Sequence, residues 1–255
     1  MSSYPEPEWQ LRCELAACFR LIAHFRMTDL IYTHATVRVP GAEPCFLINP
    51  YGLMFDEIRA SELIKVGLDG RVVGSGKGLI NLAGYVIHSA LHAARADVHC
   101  VVHTHTRAGC AVAAQRDGLL PVNQMSMEFY ERIAYHDYEG IAYDFDEQQR
   151  LVRDVGDKPV VILRNHGLVT MGGTVPQAFL RMYYLEKACE IQLAAQSTGQ
   201  PLSLPSVEVC RRTERQFSAP PAPPNAQLVS DPDGLDLAWQ ALLRLLDRLD
   251  PAYKT

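Results

Sequence analysis

HCVVHTH (99–105) and VVILRNHG (160–167) decide how this chain reads. Each is an apolar run of strand-forming residues that ends in polar ones, as in a buried strand that delivers its side chains at its tip. Side chains at i and i+2 of a strand share a face, so the imidazoles of His103 and His105 converge. His166 stands at the end of the second run, just before Gly167. If the two strand ends are neighbours, three neutral imidazoles meet. That arrangement suits a catalytic divalent metal with three protein ligands and an open position. Imidazole by itself does not choose among Zn, Fe, Mn, Co and Ni.

Outward from these runs, residues 9–27 (WQLRCELAACFRLIAHFRM) space their apolar side chains as an amphipathic helix does. ATVRV (35–39) and CFLIN (45–49) are short strands parted by the turn-rich PGAEP. LIKVGLDGRVV (63–73) reads as a hairpin, because Asp-Gly supplies the positive φ angles of a tight turn. Residues 83–95, 107–115 and 176–197 read as helices, the last with Pro176 suited to its first turn. SAPPAPPN (218–225) is Pro-rich and packs poorly. After it, DLAWQALLRLLDRLD (236–250) is amphipathic, with Trp239, Leu242, Leu243, Leu245 and Leu246 forming an apolar patch that docks on the same or a neighbouring subunit. The expected organisation is one α/β domain over 1–216, a linker over 217–233, and a C-terminal helix and tail over 234–255.

The 255 residues are 48% hydrophobic and 21% charged, an ordinary balance for a globular protein. A net charge of −5 argues against nucleic acid as a partner, since such binders usually carry a basic stripe. No apolar run approaches the roughly 20 residues that span a bilayer. The opening MSSYPEPEWQ has neither the basic nor the apolar region of a secretory signal, so a cytoplasmic location is expected. The seven cysteines are scattered, odd in number and without a CxxC pair, which fits reduced thiols with structural roles.

INPYG (48–52), AGYVIHSALHAARADVHCVVHTHT (83–106), GLLPVNQ (118–124), AYHDYEGI (134–141) and LRNHGLVTMG (163–172) together resemble the class II aldolase/adducin family, from about Trp9 to Gln196. The 83–106 and 134–172 stretches are closer to the adducin head domain than to the sugar-phosphate aldolases. The resemblance implies a three-layer α/β/α fold around a mainly antiparallel sheet. It also implies a homo-oligomer, a tetramer by preference, with sites between subunits. It names His103, His105 and His166 as the ligands of one divalent ion per subunit, with Zn, Fe or Mn the candidates. The chain departs from the aldolases where they carry an acid/base Glu, 19 residues before the first metal histidine; here that position is Gly84. Where they hold substrate phosphate, this chain has Thr33 and His34, Tyr51 and Gly52, and Leu82 and Ala83. A buried dianion stripped of its donors is strongly destabilised, so the substrate expected is not a sugar phosphate.

Three neutral imidazoles leave the full charge on the metal, which favours an anionic oxo or hydroxy carboxylate and stabilises an enolate-like intermediate. The leading expectation is therefore a metal-dependent lyase for a small non-phosphorylated carboxylate, acting by retro-aldol cleavage or decarboxylation. A non-haem Fe(II) oxygenase on an aromatic or 2-oxo acid, and a non-catalytic scaffold like the adducin head, stand as alternatives. For acid/base work His136 is the first candidate, near where related epimerases reach across a subunit boundary, and Tyr253 the second, since relatives cover a neighbour's site with a C-terminal Tyr. Glu128 is a weak further candidate. His34, Tyr51 and Gly84 are expected to line the substrate pocket. His88 and His92 share a helix face; His88 is expected near the site and His92 exposed, and Arg164 and Asn165 are expected to orient the loop of His166.

Overall fold

The computed structural model describes residues 4–74, 76–220, 222 and 234–255. In chain order the elements are α1 (Glu6–His24), β1 (His34–Val39), β2 (Cys45–Ile48), β3 (Ile64–Gly67), α2 (Leu82–Ala94), β4 (Cys100–Thr104), α3 (Arg107–Ala113), α4 (Gln124–Glu128), β5 (Ile133–His136), α5 (Glu147–Val155), β6 (Val160–Leu163), β7 (Gly167–Gly172), α6 (Val175–Ser197), α7 (Val207–Ser218) and α8 (Gly234–Leu249). The seven strands form one sheet in the order β3-β2-β1-β4-β7-β6-β5. Every pairing is antiparallel except β5 with β6.

Strand alternation separates the two faces of the sheet. Ala35, Val37, Cys100, Val102 and Ile162 join the main core, with α1, α3, α6 and α8 over it. Val101, Val161, Val169 and Met171 point the other way, onto Ile87 and Leu91 of α2 and Leu151 and Val155 of α5. The result is helix, sheet, helix: three layers. On the second face β1 is polar. His34 and Thr36 sit there, paired in register with His103 and Val101 of β4. Since β1 and β4 are both central, these polar side chains are buried among others of their kind.

Most boundaries agree with the sequence pattern. Helix α1 starts earlier than the 9–27 spacing indicates, because Pro5 and Glu6 suit a first turn, and it stops at His24. The tight turn in 63–73 forms, with Gly70 at φ +81 and Val73 N–H donating to Lys65 O. Its second arm makes only an isolated bridge, Val66 to Val72, so no second strand develops. Strand β4 stops at Thr104, leaving His105 just past its end.

Helix α8 docks on its own chain. Trp239 and Leu246 are buried in the main core, and the Trp239 ring lies 5.9 Å from that of Phe179 on α6. Of the expected linker, Phe217 and Ser218 belong to α7, while residues 221 and 223–233 lie outside the described residues. Tyr253, in the 3-10 turn Pro251–Lys254, is 1% exposed and donates its hydroxyl to Asp247 3.0 Å away. No helix among the described residues is long and apolar enough to cross a membrane. All seven cysteines are free. Trp239→Ala is expected to cost about 3–5 kcal/mol, the usual range for emptying a buried indole site. Urea unfolding of the full chain measures it, and an unchanged midpoint would mean that α8 contributes nothing to this core.

Candidate metal centre

Two turns and one sheet pairing assemble the site. His103 is the fourth residue of β4, 1% exposed, beside His34 of β1 on one side and Val169 of β7 on the other. His105 follows the end of β4, where Thr106 caps α3 by accepting from Gly109 N–H. His166 occupies the turn between β6 and β7. Asn165, at φ +57, makes that turn possible, since Asn tolerates the left-handed region better than most side chains. Its N–H donates to Ala113 O, and Arg164 donates to Gln115 O and stacks 4.1 Å over the Tyr135 ring. Arg164 and Asn165 therefore hold the loop, as the sequence suggested.

The three imidazoles converge. His105 Nε2 lies 2.9 Å from His103 Nε2 and 2.9 Å from His166 Nε2. The outer nitrogens decide what those contacts are. His103 Nδ1 donates to Leu168 O at 2.9 Å, and His105 Nδ1 donates to an Asp29 carboxylate oxygen at 3.0 Å. A neutral imidazole has a single N–H. Both inner Nε2 atoms are thus lone pairs that face each other, a repulsive contact that a cation between them turns attractive. Burial, then the neighbouring histidines, push the His103 pKa well below its ordinary value, and burial brings His166 down to about 4, so protons do not compete for the nitrogens of His103 and His166 near neutral pH. Donor type, donor number and outer hydrogen bonds all fit a divalent metal. Asp29 had no signal in the sequence: an isolated acid 76 residues from His105, it gains its meaning only from the fold.

A cavity of about 470 Å³ opens on the three histidines, and His34, Tyr51, Tyr32, Thr33, Tyr138 and Tyr143 are among its lining. His34 and Tyr51, two of the three residues expected in the substrate pocket, line this cavity; the third, Gly84, does not. Gly84 sits directly behind this wall: a Cβ there would come within 2.3 Å of the His34 ring. The two acid/base candidates are elsewhere. His136 is the last residue of β5 and 3% exposed, with Nδ1 2.8 Å from Asp154 and Nε2 3.5 Å from Glu147. It shares a narrow cleft with His166 but does not line the larger cavity, and Asp154 holds its ring through Nδ1. Tyr253 fills the core of its own chain, held there because its 3-10 turn packs on α1. Glu128 closes α4 beside a different cavity, with Arg132 and Arg181. His92, expected to be exposed, is 2% exposed and paired with Thr36.

The family profile of the Class II Aldolase and Adducin N-terminal domain matches residues 13–193. The chain belongs to this family. An aldolase II superfamily protein from Pseudomonas syringae is 51% identical, with 99% of this chain and 98% of that one covered at a TM-score of 0.90. L-fuculose 1-phosphate aldolase from Glaciozyma antarctica PI12 is 28% identical, with 100% and 96% covered at 0.81. Alpha-adducin of Rattus norvegicus is 41% identical over 260 residues, which span 99% of this chain and 35% of that protein. The class II aldolase fold is therefore shared along the whole chain. Asp29→Ala should weaken zinc affinity by about 10–100-fold, as loss of an outer hydrogen-bond partner does elsewhere, and His105→Ala should abolish equimolar zinc. Chelator competition measures both; undiminished affinity in His105→Ala would exclude this centre.

Proposed function

We propose that this class II aldolase-family chain is a metal-dependent lyase for a small, non-phosphorylated oxo or hydroxy carboxylate. The family, the three convergent imidazoles and the adjoining cavity support a lyase. A bound divalent ion supplies Lewis acidity, stabilising negative charge that develops on a substrate oxygen during aldol cleavage or decarboxylation. His103, His105 and His166 would hold it, with Leu168 O and Asp29 orienting the first two.

One observation carries the substrate class. At the start of α2, Asn81 Oδ1 accepts from the N–H groups of Ala83 and Gly84, at 3.0 and 3.4 Å. A helix start is a ready anion site only while its N–H groups are free. Here the protein's own side chain occupies them. No lysine or arginine lines the cavity among the described residues; Ile80, Leu82, Ala83 and Ile141 do. A phosphate dianion would lose its water there and meet no cationic side chain among the described residues. A carboxylate, with less charge to desolvate and a cation to meet, suits the same walls.

Tyr32, Tyr138, Ile141 and Tyr143 line the cavity and are all exposed, Ile141 by 64%. An apolar rim of this kind around a polar centre is what an intersubunit contact covers, which supports a homo-oligomer in which a second copy closes the mouth. The likeness to alpha-adducin favours a second reading, a scaffold that binds without catalysing.

The test is zinc-, manganese- or iron-loaded protein assayed for aldehyde and CO₂ release from a panel of oxo and hydroxy acids. Activity should appear on non-phosphorylated acids and fall to background in His166→Ala. Turnover confined to sugar phosphates would overturn the substrate class. Metal-loaded protein inert on the whole panel would favour the scaffold, and iron-dependent O₂ uptake an oxygenase. Light scattering at micromolar concentration should give a multiple of the chain mass; a monomer would remove the intersubunit closure.

A further inference from the structure

Behind the cavity wall lies a second histidine cluster that the metal centre does not use. Thr36 Oγ1 is 2.7 Å from His88 Nδ1 and 2.8 Å from His92 Nε2. His88 Nε2 is 2.8 Å from His34 Nδ1. All four side chains are buried. The series His92–Thr36–His88–His34 thus runs from the sheet–helix interface to the cavity, where the His34 ring centroid stands 5.0 Å from that of His103. Burial drives the histidines of this series well below their ordinary pKa, His92 to about 3, so the series is uncharged.

Proton counting limits what such a series can be. Each neutral imidazole offers one N–H and one lone pair, and the hydroxyl one proton. Three arrangements put one proton in each contact; in one of them His88 Nδ1–H and His92 Nε2–H both donate to Thr36, which leaves the buried Thr36 hydroxyl proton with no acceptor among the described residues, a costly orphan. The other two use the hydroxyl proton. In the first, His92 Nε2–H donates to Thr36, Thr36 donates to His88 Nδ1, and His88 Nε2–H donates to His34 Nδ1. His34 then carries its own proton on Nε2. In the second all three bonds reverse, and His34 Nε2 is a lone pair. The far end discriminates. His92 Nδ1 is buried with no partner in hydrogen-bond geometry, and the nearby Val98 carbonyl already accepts from Arg38. The first arrangement makes it an idle lone pair, the second an orphaned N–H, and buried orphan N–H groups are the rarer and costlier of the two.

The cavity side agrees. With Nδ1 taken by His88, Nε2 is the only ring nitrogen His34 can offer a ligand. The ring edge bearing Nε2 lies over Gly84, where a Cβ would stand 2.6 Å from that atom. Next to it, Thr33 is 4% exposed, lines the same cavity, and has a hydroxyl without a partner. Thr33 also sits at φ +69, a conformation unfavourable for a β-branched residue. A strained backbone and an unpartnered polar atom beside a cavity mark a functional wall.

We propose that His34 is a substrate-recognition residue of this site: His92, Thr36 and His88 fix its imidazole so that Nε2–H donates to an oxygen of the anionic substrate, and Gly84 keeps open the space its ring edge needs. Thr36 and His88 are positioning residues. The inference rests on the carboxylate reading of the cavity, and it supplies the donor that Gly84 and the apolar lining otherwise lack.

The test uses zinc-loaded full-length protein with oxalate as probe. Solid-state NMR of ¹⁵N-histidine-labelled protein should find His34 as the Nε2–H tautomer, unchanged in Thr36→Ser and mixed in Thr36→Val. Calorimetry should find oxalate bound at least about tenfold more weakly by Thr36→Val, His34→Leu and Gly84→Ala, as expected for loss of a hydrogen bond to a charged group, with zinc content unchanged and Thr36→Ser near wild type. A wild-type His34 protonated on Nδ1, or variants that bind oxalate as wild type does, would overturn the proposal and leave the lyase reading intact. Absence of oxalate binding by the zinc-loaded wild type would overturn the carboxylate reading and the role of His34 with it.

Discussion

Two imidazole lone pairs 2.9 Å apart in a buried cleft repel, and in this protein neither can turn away. His103 is committed through Nδ1 to Leu168 O, and His105 through Nδ1 to Asp29. Leu168 belongs to β7, the strand that follows the turn of His166, so the partner that orients one imidazole lies two residues from another. The arrangement is costly as it stands and stable once a cation is shared among the three rings. Much of the architecture serves to keep it: the central place of β4, the left-handed Asn165, and the cap of Thr106 on α3.

The same face of the sheet carries an unusual polar load. His34, Thr36, His88 and His92 are nearly or wholly buried, where each unpaired polar atom costs on the order of 1–3 kcal/mol. Pairing them in series satisfies most of that demand, and the cost of the remainder falls where the cavity begins. Around them, Phe46 stacks 5.1 Å from His92, and Arg38 donates to the carbonyls of His92 and Arg95, tying the end of α2 to β1. Helix α2 and strand β1 are thus joined by polar contacts where the other layer relies on apolar packing. Polar pairing is directional, and that suits a wall whose ring orientations must hold against a ligand.

Membership of the class II aldolase/adducin family brings the scaffold. The surroundings distinguish this chain. A carboxylate is absent at position 84 because the His34 ring occupies the space a longer side chain would need. Anion-binding N–H groups are absent at the start of α2 because Asn81 has taken them.

Some of this was legible in the chain itself. The apolar runs ending in HTH and RNH specify strands whose tips carry histidine, because period-two alternation and β-branched content leave little else for them to be. The Pro176 start of α6, the Asp-Gly turn and the amphipathic C-terminal helix follow from equally local rules. What the chain could not disclose depends on contacts between distant segments. That α8 docks on its own core, that Tyr253 is interior, that His92 is buried and His136 is held by Asp154, all turn on which face of which element meets which neighbour. Periodicity says that a face is polar; it does not say what the face touches. Asp29, Asn81 and Thr36 are ordinary residues in sequence. They acquire roles only when the sheet order brings them within hydrogen-bond distance of a particular nitrogen, because a hydrogen bond is a property of two positions in space and of neither alone.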